Sequence, residues 1–328
     1  MDDRSTGQRS LPQPKKRRNL ISNILKIVIS LGVLAVVISQ VDVGKTLEHL
    51  AQMDWLPFLA AMVLYMAGIL VRAYRWGVLV WALGIPVSWW RLVKLYFVGA
   101  FFSQFLPTGV GGDAVRVYEL AHDSQQTASV ISSVIVDRFL GLFFLFAMAL
   151  VALAAGWEMV PSQVRILIAV VFAASAIGVA LLLQRTWIER WGRRLKIDRL
   201  VGRIKILREL YESVHLYGPA ALVKASAASI VFNLMLIFAY YLLGLAVGID
   251  QPLWIYFLFV PIISALLLVP SVGGFGVREG GTVLLFAQVG VDEAHALALA
   301  TVYDIGVLLT GLVGVVIYII QSIREARK

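Results

Sequence analysis

The chain has 328 residues, 60% of them hydrophobic, with a formal net charge of +9 and a mean hydropathy of +0.84. Soluble globular domains are nearer half apolar, so this composition excludes an ordinary soluble fold. The absence of cysteine excludes disulfides and cysteine-based metal sites, and the four histidines show no ligand spacing, so neither a metal nor a cofactor is expected. Beside long apolar segments, the positive charge favours anionic lipid over nucleic acid as a partner.

Six apolar runs are long enough to cross a membrane as helices. About 30 Å of hydrocarbon requires roughly 17 to 25 helical residues, and lipid offers the backbone no other hydrogen-bond partners. The runs are 21–41, 55–71, 129–157, 166–184, 225–249 and 294–321. The sequence therefore predicts an all-α integral membrane protein with about six full transmembrane helices, the first of them a retained anchor rather than a cleaved signal peptide.

Basic residues are concentrated on one side of these predicted spans. The basic segments are a tail at 1–19 that is predicted to be disordered, a loop at 185–217 and a short tail at 323–328. Arg72 and Arg75 are assigned to the same side, after the second span. Because basic loops remain in the cytoplasm, both termini are predicted to be cytoplasmic in a plasma (inner) membrane. The basic loop is predicted to contact anionic headgroups, and residues 20–322 are predicted to form a single polytopic domain.

Two further apolar segments, 92–106 and 254–269, run directly into turns rich in glycine and proline. A single crossing at either segment would invert every later loop and remove the charge bias, so each is predicted to be a re-entrant hairpin. Irregular backbone is tolerated at membrane depth only where protein or a water-filled cavity covers it. The predicted hinge residues at the tips are Pro107, Gly109, Gly111 and Gly112 in the first hairpin, and Pro270, Gly273, Gly274 and Gly276 in the second.

The two hairpins share an order of residues. Each contains a proline, a glycine pair and an arginine, and each is followed by an apolar span with one acid, Asp137 in the first case and Asp304 in the second. In the predicted topology the first hairpin enters from the cytoplasm and the second from outside. The sequence therefore predicts an inverted-topology repeat, with repeat 1 at about 88–156 and repeat 2 at about 253–322.

Inverted hairpins whose tips meet near the midplane are typical of transporters. Half-helix ends can hold a polar ligand, and arginine suits the bidentate binding of phosphate. Arg116 and Arg278 are therefore predicted to bind a lipid phosphate, while Asp137 and Asp304 couple to a proton or an amine. One alternative remains open, in which Arg116 pairs with Asp137 and Arg278 with Asp304 as purely structural salt bridges.

Four further residues complete the candidate lipid-binding site. Asp113 lies in the first hairpin where the second has Phe275, so it breaks the symmetry of the repeat. Arg138 is expected to extend its side chain to the inner interface, and Glu279 is expected to be interfacial. Tyr303 directly precedes the second acid.

The segments around these residues resemble the transmembrane domain of the lysylphosphatidylglycerol synthases. The similar segments are 105–116, 136–138, 270–279 and 303–304, and the resemblance extends over roughly 20–322. It implies a flippase-like membrane domain, associated in relatives with moving aminoacylated phospholipids or with polyprenol-linked glycan pathways. The full synthases also carry a soluble aminoacyl-transfer domain with no counterpart in this sequence, so enzymatic activity is not expected.

Three functions are compatible with the sequence. The preferred one is a transporter or flippase that binds and translocates a phosphate-bearing lipid, either a phospholipid or a polyprenyl-phosphate-linked lipid. The second is a membrane enzyme acting on lipid headgroups, for which His122 beside Asp123 is a weak candidate. The third is a non-catalytic partner subunit of a membrane glycosyltransferase or synthase, docking through the basic segment 185–208.

Overall fold

A computed structural model of the protein describes residues 42–105, 111–155, 157, 160–183, 212–213, 216–267, 269 and 271–325. Over these residues the chain forms ten helices and no strand, which confirms the all-α prediction. The helices are α1 (Val43–Ala51), α2 (Trp55–Ala82), α3 (Trp89–Phe105), α4 (Gly111–Ser124), α5 (Thr127–Ala155), α6 (Ser162–Leu183), α7 (Pro219–Ala246), α8 (Leu253–Leu266), α9 (Val277–Ala287) and α10 (Glu293–Glu325).

Five of these helices, α2, α5, α6, α7 and α10, are long and apolar enough to cross a membrane. Each corresponds to one of the predicted spans. The first predicted span, 21–41, lies outside the described residues, as do the N-terminal tail, nearly all of the basic loop, and the hinge residues Pro107, Gly109 and Pro270. Of the C-terminal tail predicted at 323–328, residues 323–325 continue α10, and the last three residues lie outside the described part of the chain.

The second predicted span is longer than expected. It was predicted to end at residue 71, which assigned Arg72 and Arg75 to a cytoplasmic loop, but α2 continues without a break to Ala82. Arg75 lies inside the bundle, where its side chain is 4% exposed. The helix can bury this charge because a carboxylate on α5 faces it. The positions of charges along the sequence do not reveal that the two side chains are partners.

Both predicted hairpins are pairs of short helices packed side by side. The arms α3 and α4 approach so closely that a Cβ atom added to Gly99 would lie 2.9 Å from the carbonyl oxygen of Gly112. Between α8 and α9 the chain turns through three glycines with positive φ: Gly273 at 61°, Gly274 at 86° and Gly276 at 81°. Residues with a side chain rarely adopt such angles, so the turn depends on glycine.

The described helices repeat one order of elements. A 28-residue helix, two short helices and a long helix occur as α2 to α5 and again as α7 to α10. The two 28-residue helices pack antiparallel, because Asp54 at the start of α2 donates its N–H to Ala246 at the end of α7 (2.8 Å), whereas Arg75 contacts Ser229 (3.3 Å). Equivalent helices of the two units therefore run in opposite directions.

The two units also exchange packing partners. The first arm of each hairpin packs on the long helix of the other unit, α3 on α10 and α8 on α5. The antiparallel direction of α3 and α10 follows from two contacts, since Phe97 lies near Gly314 while Gln104 hydrogen-bonds to the carbonyl of Val307. Neither hairpin can therefore shift without affecting the other half.

The close contact between α3 and α4 gives a first test. Gly99→Ala places a methyl group against the backbone of α4, and we expect it to cost on the order of 1–3 kcal/mol through overpacking. The matched control is Gly68→Ala, also in a buried helix interior, where the new Cβ would lie 3.5 Å from Phe232, an ordinary contact. Thermal unfolding in detergent, followed by tryptophan fluorescence, should show a lower midpoint for Gly99→Ala alone. Equal midpoints for the two variants would contradict the tight packing of the first hairpin.

Candidate functional site

The first buried ion pair joins α2 to α5. Arg75 Nε donates to Asp137 Oδ1 at 2.6 Å, and the hydroxyl of Tyr96 on α3 donates to the other carboxylate oxygen at 3.3 Å. Asp137, with a side chain only 1% exposed, is therefore satisfied on both oxygens. The pairing of Asp137 with Arg116, which the sequence left open, is not observed, because Arg75 occupies that position.

Arg116 instead pairs with Asp113, one turn earlier on α4. The same carboxylate accepts from Arg138 on α5, with 2.5 Å between Nε and Oδ2, so one acid holds two guanidinium groups. Arg116 is 2% exposed and lies over two aromatic rings, 4.0 Å from the centroid of Tyr96 and 4.8 Å from that of Trp76. Asp113, the residue that breaks the symmetry of the repeat, is thus the central acid of the first hairpin.

The second hairpin contains a simpler arrangement. Arg278 forms an ion pair with Asp304 on α10, the pairing left open from the sequence, and donates from Nη2 to the carbonyl of Gly273 at 3.1 Å. Its guanidinium also lies 5.0 Å from the ring centroid of Tyr303. Glu279 was expected to be interfacial, but it is 4% exposed, because α9 folds back into the bundle. Its Oε2 atom is buried and has no hydrogen-bond partner among the described residues.

The glycine turn of the second hairpin contacts the end of α3 in the first. A Cβ atom on Gly273 would lie 3.0 Å from the backbone oxygen of Gln104, the last residue but one of α3. A Cβ on Gly274 would lie 2.7 Å from the guanidinium of Arg278, so glycine at this position allows the arginine to fold back over its own turn. The two ionic clusters are therefore linked through a direct contact between the second hairpin's turn and the end of α3.

Three tyrosines from different helices line the second cluster. Tyr303 on α10 stacks on Tyr240 of α7, with 4.3 Å between ring centroids, and meets Tyr65 of α2 edge-on at 5.7 Å. Since Tyr303 also lies beside Arg278, the stack connects the second hairpin to the α2–α7 contact.

Arg72 belongs to this site and was missed by the sequence analysis. It lies on α2 one turn before Arg75, and its guanidinium is 5.3 Å from the ring centroid of Tyr96 and 5.2 Å from that of Phe232. Its Nε atom is buried without a hydrogen-bond partner, and no described carboxylate pairs with it. The signal was present in the sequence, since strongly apolar residues continue after Arg75, but the predicted span was ended too early to use it.

The site therefore has an excess of positive charge. Arginine is the more numerous charged residue in it, with five guanidinium groups against four carboxyl groups. The arginines are Arg72, Arg75, Arg116, Arg138 and Arg278, and the acids are Asp113, Asp137, Glu279 and Asp304. Even with every acid ionised, the cluster keeps at least one uncompensated positive charge.

Because Arg75 and Asp137 form a buried ion pair, a conservative substitution of Asp137 is expected to lower the free energy of unfolding substantially. Asp137→Asn keeps the size of the side chain but leaves Arg75 buried without a counter-charge, which costs about 3–5 kcal/mol in comparable pairs. The control is Asp123→Asn, which weakens the exposed pair with Arg91 (2.8 Å) and should cost about 1 kcal/mol or less. Thermal unfolding should separate the two variants clearly. Adding Arg75→Gln to Asp137→Asn should recover part of the loss, and a double variant as unstable as the sum of the single variants would argue against direct pairing.

Comparison with known proteins finds similarity along most of the chain. The sequence profile of the "Lysylphosphatidylglycerol synthase TM region" matches residues 23–314. A UPF0104 membrane protein of Pyrococcus horikoshii is 24% identical over 300 residues, covering 84% of this chain and 89% of the relative. A second UPF0104 membrane protein, from Methanothermobacter thermautotrophicus, is 24% identical over 341 residues, covering 93% of this chain and 94% of the relative. The similarity thus extends along both units of the repeat rather than being confined to the hairpin motifs.

Proposed function

The chain belongs to the lysylphosphatidylglycerol synthase transmembrane-region family, and from that premise we propose that it binds a phosphate-bearing lipid and translocates it across the membrane. The lipid is either a phospholipid or a polyprenyl-phosphate-linked lipid. The protein is proposed to perform no group transfer of its own.

The observation that carries this proposal is Arg72. A guanidinium among membrane helices is costly unless an anion faces it. Arg72 is half-buried, its Nε atom is buried without a hydrogen-bond partner, and no described carboxylate pairs with it. Its aromatic neighbours come from both units of the repeat, Tyr96 from α3 and Phe232 from α7. An anionic ligand held there would contact both halves at once. Phosphate fits this requirement, because the planar guanidinium can bind two of its oxygens together.

The two paired arginines, Arg116 and Arg278, are the further binding positions for the phosphate beyond Arg72. Arg116 and Arg278 are each held by an acid in this arrangement, Asp113 and Asp304 respectively. A phosphate that reaches either arginine replaces a carboxylate of the same charge, so the site exchanges one ion pair for another. The released carboxylate then takes up a proton or pairs with an amine on the headgroup. Such exchange lets a charged headgroup move without leaving an arginine unpaired.

The hairpin arms support a re-entrant arrangement. At 1.5 Å per residue, the 14 residues of α4 or α8 extend about 21 Å, the 11 residues of α9 about 17 Å and the 17 residues of α3 about 26 Å. Three of the four arms are well short of the roughly 30 Å hydrocarbon core, and α3 is slightly short of it. With both termini cytoplasmic in the plasma (inner) membrane, the first hairpin opens to the cytoplasm and the second to the outside.

Cysteine labelling tests this topology directly, because the natural protein has no cysteine. Single exposed residues at the ends of each hairpin are replaced: Ser88→Cys and Gln126→Cys for the first, Asp250→Cys and Gln288→Cys for the second. In intact cells, a membrane-impermeant maleimide should label only the second pair, and after permeabilisation all four. Labelling of Ser88→Cys and Gln126→Cys from opposite faces would show that the first hairpin is a single crossing.

The transport proposal is tested on Arg72 in proteoliposomes. Arg72→Gln removes the unpaired charge and should slow the transfer of a fluorescent phosphate-bearing lipid between leaflets by about 10- to 100-fold, the loss expected for one charged hydrogen-bonding interaction. Arg91→Gln removes an arginine whose pairs with Glu119 and Asp123 are partly exposed and should leave the rate unchanged. An Arg72→Gln variant that elutes as folded protein and transfers lipid at the wild-type rate would refute the proposed role.

One observation favours a second candidate function. Because Arg116 and Arg278 both have acidic partners within the chain, the hairpins are also suited to a static scaffold that supports a membrane glycosyltransferase or synthase. Wild-type protein that transfers none of the phosphate-bearing lipids tested would support this candidate over transport. Turnover of the headgroup by purified protein would instead indicate an enzyme.

A further inference from the structure

Away from the buried arginines, two histidines meet at one end of the bundle. His49 lies in the last turn of α1 and His295 in the first turn of α10, with 3.5 Å between ring centroids and 30° between ring planes. The fold brings them together from opposite ends of the chain, and for this reason no ligand spacing is visible in the sequence.

A carboxylate completes the group. Asp292, immediately before α10, has its Oδ2 atom 3.4 Å from Nδ1 of His295 and accepts the N–H of Ala294 at 3.1 Å, which fixes its orientation. Burial opposes ionisation here, but the hydrogen bonds from His295 and Ala294 outweigh it and hold the pKa of Asp292 below its ordinary value. One donor atom each from His49, Asp292 and His295 lies within 4.8 Å of the other two.

Two imidazoles and a carboxylate are a donor set that zinc favours. Zinc binds imidazole nitrogen and carboxylate oxygen at about 2.0–2.2 Å, so two donors on a tetrahedral ion are roughly 3.4 Å apart. The distance between Asp292 and His295 already has this value.

We propose that His49, Asp292 and His295 bind a divalent transition-metal ion, with Zn²⁺ the best fit. Three protein ligands leave a fourth coordination position open to solvent, because the site lies at the end of the bundle and its side chains are partly exposed. This inference does not depend on the lipid proposal and is tested without lipid transport.

The site would join parts of the fold that the buried arginines do not reach. α1 packs on α10, and the glycine turn after α7 passes beside them, with a Cβ on Gly248 lying 3.8 Å from Nε2 of His295. A bound ion would fix α1 to the start of α10 at the end where the second hairpin begins. It would thus tie the segment that precedes α2 to the second unit of the repeat.

The experiment uses the full-length protein purified without a histidine tag, depleted with a chelator and then dialysed against Zn²⁺. The amount of zinc bound per chain is measured by elemental (inductively coupled plasma) mass spectrometry. Wild-type protein should retain about one ion per chain, and His49→Ala and His295→Ala should each retain almost none. The matched control is His122→Ala, which removes an exposed histidine that also has an aspartate as its neighbour in sequence, and it should retain as much zinc as wild type.

Two further readouts keep the result interpretable if a variant folds poorly. Co²⁺ added to wild-type protein should give the visible absorption of a four- or five-coordinate ion, and Asp292→Asn should alter that spectrum. Zn²⁺ should also raise the unfolding midpoint of wild-type protein and of His122→Ala, but not that of His295→Ala. Zinc retention that is equal in wild type and in the His49→Ala/His295→Ala double variant would overturn the proposal.

Discussion

Burying guanidinium groups among membrane helices is the physical constraint on which the rest of this structure depends. Each of these charges is costly unless an anion faces it, and neighbouring aromatic rings add a weaker cation–π attraction. Arg75 requires Asp137, which fixes α2 against α5, and Arg278 requires Asp304, which fixes α9 against α10. Asp113 holds two arginines and so fixes α4 against α5. The ion pairs thus fix three of the helix contacts, whereas the packing of α2 on α7 and of α3 on α10 contains no ion pair among the described residues.

Close backbone packing makes these ion pairs possible. Gly99 and Gly112 bring α3 against α4, and this places Arg116 over the rings of Tyr96 and Trp76. In the second hairpin, the positive φ angles at the glycine turn let Arg278 reach back to its own tip. Small residues at helix contacts are a general device of membrane proteins, because they allow backbones to approach. In this protein the small residues also position the charged side chains of Arg116 and Arg278.

Much of the architecture could be predicted from the sequence, because it depends on local patterns. Run length predicted five helices that the structure contains, and the repeated order of glycine pair, arginine and acid located both hairpins. Which arginine pairs with which acid could not be predicted. Asp137 pairs with Arg75 rather than Arg116 because α2 extends past its first charge, and only the three-dimensional packing of α2 on α5 shows this. The exposure of Glu279 was likewise misjudged, since the direction in which α9 folds back is a tertiary property.

The unequal ionic content of the two hairpins has a thermodynamic consequence. Perfect inverted repeats would interconvert between two end states of equal free energy, since each state would be the other turned over. Here the first hairpin holds one acid between two arginines, whereas the second holds a single pair, so the two end states differ in energy. In the proposed transport cycle, the protein would therefore rest mainly with its site turned towards one leaflet. That preference would set where a lipid is first met, but it would not by itself drive accumulation, which requires a ligand or ion that binds the two states unequally.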